Sequence, residues 1–284
     1  HLLDQGVAPR NVLAMTFTNK AAGEMRERVA ALVGKARAKE LTIGTFHAFA
    51  VRPLREHAPR LGLPKGFTIS DTSDQMTAVK SVLRELRIPE ASLHPNVVHA
   101  RISLAKNKLI TPSQYLDRPG DDLDELVGQA YRRYEAHLAR SRCLDFDDLL
   151  VRMVELLRDH PDALDAFRGR FRYLLVDEYQ DTNGPQYEIV RRIAGAEQNL
   201  CVVGDDDQSI YGWRGADVRK ILEFERDFPR AVTVRLLTNY RSTRQILDAA
   251  NRVIANNPAR PEKELRSAVG EGEPVIVQMV RDEE

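Results

Sequence analysis

Leu174-Leu175-Val176-Asp177-Glu178-Tyr179-Gln180-Asp181 is the stretch that decides the fold, because an apolar run ends there in two adjacent acids. In a parallel α/β sheet, a buried strand of this kind carries its acids to the edge where ligands bind. Carboxylates at that edge hold Mg²⁺ and orient a water molecule for attack. Asp177 is therefore a candidate Mg²⁺ ligand and Glu178 a candidate general base. The competing interpretation is a pair of acids that only ends a strand at the surface.

Four apolar runs alternate with helical patterns, which predicts a parallel α/β sheet with strands at 12–17, 41–46, 173–177 and 200–204. From Leu144 the apolar spacing, beginning with Phe146, predicts a helix with one buried face. Between 73 and 140 the spacing is helical, at 76–86, 97–108 and 126–138. We therefore expect a helical subdomain inserted into the α/β unit.

A second α/β domain is expected to begin near residue 232. A strand pattern covers 232–237, Ser242 and Gln245 form a capping-box pattern before a helix, and 275–280 has the pattern of one more strand. The predicted boundaries are 1–73 with 141–231 for the first α/β domain, 74–140 for the insertion and 232–284 for the second domain.

Composition narrows the class of protein. The 284 residues are 43% hydrophobic and 30% charged with zero net charge, which is typical of globular chains of about two domains. No apolar run approaches the ~20 residues of a membrane span, and the first residues lack a signal-peptide pattern. We expect a cytoplasmic protein without a membrane partner.

The phosphate loop G-x-x-x-x-G-K-[ST] that usually accompanies an acid-ended strand does not occur among these residues. The chain begins with His1 instead of Met, and it ends at Glu284 without a terminal helix pattern. We therefore expect both ends to be cut and the nucleotide site to lack one catalytic part.

Polar residues also follow the next strand, in Asp205-Asp206-Asp207-Gln208. A glutamine at this edge can contact a terminal phosphate or the attacking water, which makes Gln208 a candidate phosphate sensor. The three acids alternatively suggest a two-metal nuclease, although three consecutive side chains cannot all face one metal.

Trp213, the only tryptophan, lies between Gly212 and Gly215 and beside Arg214. Glycines favour a loop, and an aromatic ring with Arg in a loop stacks on nucleic-acid bases with roughly 1–3 kcal/mol per base. Core packing of the indole is the alternative.

Three further short segments carry candidate binding groups. Tyr240 and Arg241 precede a helix, where a guanidinium can reach a γ-phosphate and the phenol ring can stack on adenine; a surface helix entry is the alternative. Thr18 with Asn19, and Thr45 with His47, follow predicted strands at helix starts, which bind phosphate or simply cap the helix.

Six motifs in chain order resemble the UvrD/Rep/PcrA helicases of superfamily 1. They are Thr16-Phe17-Thr18-Asn19-Lys20-Ala21-Ala22, Gly44-Thr45-Phe46-His47, Leu144-Asp145-Phe146-Asp147-Asp148-Leu149, Asp177-Glu178-Tyr179-Gln180-Asp181-Thr182-Asn183, the thirteen residues from Gly204 to Ala216, and Asn239-Tyr240-Arg241-Ser242. The resemblance implies a RecA-like parallel sheet of the P-loop NTPase type, an all-helical insertion and the start of a second RecA-like domain.

The resemblance further implies an ATP-dependent motor that moves 3′ to 5′ on single-stranded DNA, unwinds junctions of single- and double-stranded DNA, and works with repair or replication proteins near the nucleoid. ATP and Mg²⁺ would be its cofactors. Asp177 would hold Mg²⁺, Glu178 would be the base, Gln208 and Arg241 would contact the γ-phosphate, and Tyr240 would face adenine. The implied DNA track consists of Phe17, Thr18, Asn19, Thr45, Phe46, His47, Tyr211, Trp213 and Arg214.

Two other functions stay open on the sequence. A non-catalytic single-stranded-DNA-binding module would keep the DNA track alone, and a metal-dependent nuclease would cleave DNA with Mg²⁺. Because the phosphate loop is missing from the 284 residues, we predict that they hydrolyse ATP negligibly by themselves.

Overall fold

A computed structural model describes residues 1–89, 91–118, 120–257 and 263–279. The chain divides into two compact units. The first comprises His1–Asp205 with Ser209–Lys220, and the second comprises Asp206–Gln208 with Ile221–Glu284.

The strands of the first unit, among its described residues, are β1 Val12–Thr16, β2 Thr42–Thr45, β3 Thr68–Ile69, β4 Cys143–Leu144, β5 Tyr173–Val176 and β6 Leu200–Val202. Its helices are α1 Asn19–Val33, α2 Lys35–Glu40, α3 Phe46–Glu56, α4 Thr72–Glu85, α5 Pro95–Lys106, α6 Pro112–Leu116, α7 Asp122–Arg140, α8 Phe146–Asp159, α9 Pro161–Arg170 and α10 Gly184–Ala194. A short helix, α11 Arg219–Leu222, follows at the boundary between the units.

Four of the strands form a parallel sheet in the order β2-β1-β5-β6. Ala14 of β1 aligns with Ile43 on one side and with Leu175 on the other, and Leu175 aligns with Cys201. All five residues of β1 are buried, as expected of a central strand with both faces covered. The predicted parallel α/β fold is confirmed, and the carboxyl ends of β5 and β6 are neighbours.

Helices α4 to α7 follow β3 and precede β4 in the chain, and they form a separate helical layer. Their buried faces share one apolar cluster that includes Val79, Leu83, Val98, Ile102 and Tyr134. The short strands β3 and β4 pair in parallel, Thr68 with Cys143 and Ile69 with Leu144, where the chain leaves and re-enters the α/β part. Helix α6 was not predicted, because five residues are too few for a helical period to show.

Helix α8 buries the predicted apolar face except at its first residue. Leu149, Leu150 and Met153 are at most 1% exposed, whereas Phe146 is 51% exposed. The prediction was wrong for Phe146, whose ring lies at the surface against the His47 imidazole instead of in the core. Asp145 caps this helix, accepting a hydrogen bond from the Asp148 amide at 2.8 Å.

The second unit contains α12 Phe224–Asp227, β7 Thr238–Asn239, α13 Arg244–Ile254 and β8 Arg266–Ser267. The strand predicted over 232–237 is wrong: Val232, Val234 and Leu236 are 74–87% exposed, and among the residues described in this unit the paired strands are β7 and β8. An apolar alternation becomes a strand only where a neighbouring strand supplies hydrogen bonds. The strand predicted over 275–280 is absent from 275–279, and Val280 lies outside the described residues.

The predicted capping box at α13 does not form. Thr243 is the N-cap and makes no side-chain cap bond. The Gln245 side chain instead donates to Glu271 at 2.6 Å and accepts from the Gly272 amide at 2.7 Å. Among the described residues, no helix has the length and apolar character needed to cross a membrane.

Candidate functional site

The two acids that end β5 are held by the sheet on both sides. The Asp177 amide donates to the Met15 carbonyl at 2.9 Å, and the Tyr179 amide donates to the Val203 carbonyl at 3.0 Å. Between them Glu178 adopts φ 54° and ψ 41°, a left-handed conformation that costs a non-glycine residue energy. The strained residue lies at the turn that follows β5, where the chain leaves the sheet.

Gln180 fixes the orientation of that carboxylate. Its side chain is buried, with 1% exposure, and its amide nitrogen donates to Glu178 Oε2 at 2.8 Å. Its carbonyl oxygen accepts from the Asp205 amide at 3.1 Å, in the loop that follows β6. Sequence reasoning missed this role; the available signal was a second polar side chain close behind the acids.

Asp177, Glu178 and Asp181 form an acid segment (residues 177–181) that carries excess negative charge. Partial burial raises the pKa of Asp177, and burial followed by the Glu178 charge raises the pKa of Asp181. Asp181 Oδ1 is buried without a hydrogen-bond partner in the described part of the chain. Among the described residues, no Lys or Arg forms an ion pair with these three acids. Oxygen ligands without their own cation suit Mg²⁺.

The segment after the acids is tied to the chain that follows the tryptophan. The Thr182 carbonyl accepts from the Asp217 amide at 3.3 Å and from Lys220 Nζ at 3.1 Å. Burial lowers the pKa of Lys220 to about 8. Asn183 then caps α10 through a bond from the Gln186 amide at 3.1 Å.

An aromatic row lies at the surface of the first unit. The Phe17 and Tyr211 rings stack with centroids 5.2 Å apart, and the Arg214 guanidinium lies 4.4 Å from the centre of the Trp213 ring. Trp213 is 69% exposed, which excludes core packing of the indole. Exposed rings beside a guanidinium are suited to stacking on bases and pairing with phosphates. We call residues 211–215 the aromatic loop.

The other residues of the expected DNA track divide into exposed and buried groups. Thr18 and Asn19 are exposed, and Thr18 caps α1 by accepting from the Ala21 amide at 3.1 Å. Thr45 is 8% exposed and caps α3, and Phe46 is 2% exposed. The Phe46 ring packs in the core, and its expected contact with DNA stays a prediction.

His47 is half-buried against an exposed ring. Its imidazole meets the Phe146 ring edge-on at 5.7 Å, and burial lowers the pKa of His47 to about 4. The side chain is therefore neutral near pH 7 and available for hydrogen bonding or stacking. Phe146, assigned from the sequence to a buried helix face, instead adds exposed aromatic surface beside His47.

The remaining candidate residues belong to the second unit. Gln208 ends the 3₁₀ turn Asp206–Gln208, and its side chain is exposed. Lys263 Nζ lies 2.5 Å from Asp206 and 3.1 Å from Asp207, so a lysine neutralises two of the three consecutive acids. This pairing speaks against a two-metal nuclease site. Tyr240 is 79% exposed. Arg241 is also exposed, and its backbone amide donates a hydrogen bond to the Asn239 side chain.

A parallel sheet with two adjacent acids at a strand end, interrupted in chain order by a helical layer, is an α/β architecture of the RecA-like kind. Residues 1–229 match the UvrD/REP helicase N-terminal domain, and residues 234–284 match the UvrD-like helicase C-terminal domain. The chain belongs to the UvrD/REP helicase family.

Three curated relatives are each named ATP-dependent DNA helicase PcrA. The protein of Leuconostoc citreum is 48% identical over 276 residues, that of Staphylococcus aureus strain Mu50 is 47% identical over 276, and that of Bacillus subtilis strain 168 is 45% identical over 271. These alignments cover 97%, 97% and 95% of the chain. The chain spans 37%, 38% and 36% of the relatives' own lengths.

Proposed function

We propose that this chain is part of an ATP-dependent DNA helicase that moves 3′ to 5′ along single-stranded DNA and unwinds duplex at junctions. The observation that carries the proposal is the presence, within one unit, of an exposed aromatic loop and of an acid segment that has no ion-paired Lys or Arg among the described residues. Thr182, directly after the acid segment, accepts bonds from Asp217 and Lys220, which follow the aromatic loop. The acid segment suits nucleotide hydrolysis and the aromatic loop suits unpaired bases. The family membership supports the same combination.

The acid segment performs the chemistry in this proposal. Glu178 takes the proton of the attacking water, while the buried Gln180 amide holds its carboxylate in one orientation. Asp177 would hold Mg²⁺, which when bound neutralises charge on the phosphates. The orphaned Asp181 oxygen and the absence of a paired cation among the described residues support this fit. Gln208 and Arg241 would contact the γ-phosphate, and Tyr240 would face adenine.

The aromatic loop binds DNA in this proposal. Trp213 and Tyr211 stack on successive bases, and Arg214 pairs with the DNA backbone. The Phe17 ring stacks on Tyr211 and holds it in place. Thr18, Asn19, Thr45, Phe46 and His47 would complete the track, with the exposed Phe146 ring beside His47.

The wider context is also a proposal. The boundaries 1–73 with 141–231, 74–140, and 232–284 would separate a first RecA-like domain, its insertion and a second RecA-like domain. The protein would work in the cytoplasm at the nucleoid, in DNA repair or replication. Because no phosphate-loop motif occurs among the 284 residues, these residues alone would hydrolyse ATP negligibly.

One experiment on the 284-residue chain tests the DNA site. Because Trp213 is the only tryptophan, its fluorescence reports binding of an oligo-dT strand. We expect quenching that weakens with added salt, and weaker binding for Arg214→Gln than for Lys39→Gln, which removes an exposed cation on α2. Equal affinity of both variants and the unaltered chain would contradict the proposed track.

A second experiment separates a motor from a non-catalytic binding module. ATP turnover is measured for the complete product of the reading frame that encodes these residues, with and without oligo-dT. DNA-stimulated turnover supports the helicase proposal. Tight DNA binding without turnover favours the binding module, and DNA cleavage with Mg²⁺ alone favours the nuclease.

A further inference from the structure

Asn107 follows α5 in the helical insertion, is 5% exposed, and contacts both functional parts of the first unit. We propose that Asn107 is a positioning residue that couples the acid segment to the aromatic loop, so that DNA binding changes the rate of ATP hydrolysis. This inference rests on the proposed function.

The first contact joins Asn107 to the end of the motif that carries the acids. Asn183 Nδ2 donates to Asn107 Oδ1 at 2.5 Å, and the Gly184 amide donates to the Asn107 carbonyl at 3.0 Å. A Cβ atom on Gly184 would lie 2.8 Å from that carbonyl oxygen, closer than real Cβ contacts allow. The two backbones therefore meet directly, and glycine is required for the approach.

The second contact joins Asn107 to the aromatic loop. Gly215 ends the turn Gly212–Arg214 in a left-handed conformation with φ 82°, and it is buried. A Cβ atom on Gly215 would lie 2.8 Å from Asn107 Cβ. Gly184 therefore packs on the backbone of Asn107, and Gly215 packs on its side chain. The two glycines come from two separate motifs and meet one residue of the insertion.

The Asn107 amide is held in one orientation. Its nitrogen donates to Asp147 Oδ1 at 3.0 Å and to the Ser103 carbonyl at 2.9 Å, which directs its oxygen towards Asn183. The preceding Lys106 is fixed by Asp145 and Asp148 at 2.7 Å each. Because the junction is close-packed and anchored, a displacement of the aromatic loop cannot leave Asn183 in place without breaking contacts.

Asn183→Asp tests the coupling while keeping the cap of α10. Aspartate caps a helix as well as asparagine does, so the bond from the Gln186 amide is kept. The donor to Asn107 becomes an acceptor facing another acceptor, which breaks the link, and the unfolding midpoint measures the cost of the added charge at this buried position. Asn107→Ala is the second variant, and Asn96→Asp, at an exposed position in the first turn of α5, is the matched control.

The experiment measures ATP turnover of the complete reading-frame product with and without oligo-dT, alongside its unfolding midpoint. We expect both variants to keep the basal rate, and the stimulation by DNA to fall about tenfold while Asn96→Asp keeps it. Full stimulation in Asn183→Asp would overturn the inference alone. A parallel loss of basal rate, stimulated rate and stability would show a structural role and overturn it as well. An unaltered protein without DNA-stimulated turnover would overturn the proposed function and the inference with it.

Discussion

Two groups of three carboxylates in the first unit differ in burial and, above all, in the presence of a cation. Glu135, Asp145 and Asp148 surround the ammonium group of Lys106 at 2.6–2.7 Å, and Lys106 is 2% exposed. The acid segment brings three carboxylates to a strand end without an ion-paired Lys or Arg among the described residues. We call the first group the Lys106 cluster.

The comparison separates a structural use of acids from a chemical one. In the Lys106 cluster the Tyr134 hydroxyl also donates to Asp145 at 3.0 Å, so the position where these oxygens converge is filled by the protein's own donors. This cluster joins α5 and α7 of the insertion to α8. Acids that are already neutralised do not need an external cation, whereas in the proposed function the acid segment would recruit one.

The largest expected effect is on catalysis at the acid segment. Glu178→Gln in the complete reading-frame product should lower DNA-stimulated ATP turnover by roughly 10²–10⁴-fold, since the amide cannot accept the water's proton. Oligo-dT affinity and the unfolding midpoint should stay unchanged, because Glu178 is exposed and unpaired with any described cation. Glu188→Gln, on the partly exposed face of α10, is the control. Unimpaired turnover would place the base elsewhere.

The next effect is on stability at the Lys106 cluster. Lys106→Met leaves three carboxylates, two of them buried, without their cation and should lower the free energy of unfolding by about 3–5 kcal/mol. Lys80→Met, on an exposed position of α4, should change it by no more than about 0.5 kcal/mol. Denaturant titration of the 284-residue chain measures both. Equal effects of the two substitutions would contradict the role of Lys106 as the cation that stabilises the cluster.

A smaller effect concerns the pH dependence of stability. Burial raises the pKa of Asp148 to about 7 from its usual 3.8, while Lys106, after the opposing effect of burial, keeps the pKa of Asp145 lowered. The unfolded chain loses the Asp148 proton near pH 4 and the folded chain keeps it until about pH 7. The contribution of Asp148 to the free energy of unfolding is therefore present at low pH and is lost as pH rises through this window.

The check is a series of denaturant titrations from pH 4 to pH 7.5. Each unit of pKa difference corresponds to about 1.4 kcal/mol. The slope of stability against pH should be flatter in Asp148→Asn than in the unaltered chain, whereas an exposed acid replaced in the same way, Asp159→Asn at the end of α8, should leave the slope between pH 4 and 7.5 in place. Identical slopes for Asp148→Asn and the unaltered chain would show that the cluster holds no proton.

The smallest expected effect is the stabilisation of the folded chain by Mg²⁺. Mg²⁺ at ten times its Kd should stabilise the 284-residue chain by about 1.4 kcal/mol, through mass action on the folded state. Asp177→Asn should abolish this gain, whereas Glu135→Gln in the Lys106 cluster should leave it intact. Thermal unfolding with and without Mg²⁺ measures the shift. A gain that depends on Glu135 would reverse the assignment of the two groups.

The fold was predictable where the sequence pattern is local. The runs that end at Thr16, Val176 and Val202 are largely apolar segments, and the central strand β1, in which all five residues are buried, requires such a segment. The acids after Val176 follow from the same pattern, because the end of an apolar run marks the end of a strand. The alternation over 232–237 failed as a predictor, because pairing depends on a partner that the segment itself does not encode.

The functional site was only partly predictable, because the position of a side chain also depends on partners that the local sequence does not encode. The exposure of Trp213 followed from its flanking glycines, but Phe46 and Phe146 exchanged their expected positions. An aromatic residue at a helix start faces the core or solvent according to what packs across from it. Gln180 and Asn107 escaped notice because each acts through residues that are distant in sequence or hidden inside a motif.

The sequence by itself determined the parallel α/β architecture, the helical insertion and the delivery of Asp177 and Glu178 to a strand end, since apolar periodicity and chain order suffice for these. Only the tertiary structure decided which acids have a cation. Lys106 is 29 to 42 residues from the three acids it neutralises, and no local pattern reports a charge pairing across that distance. The electrostatic character of a carboxylate, and hence its use, is set by what the fold places within a few ångströms of it.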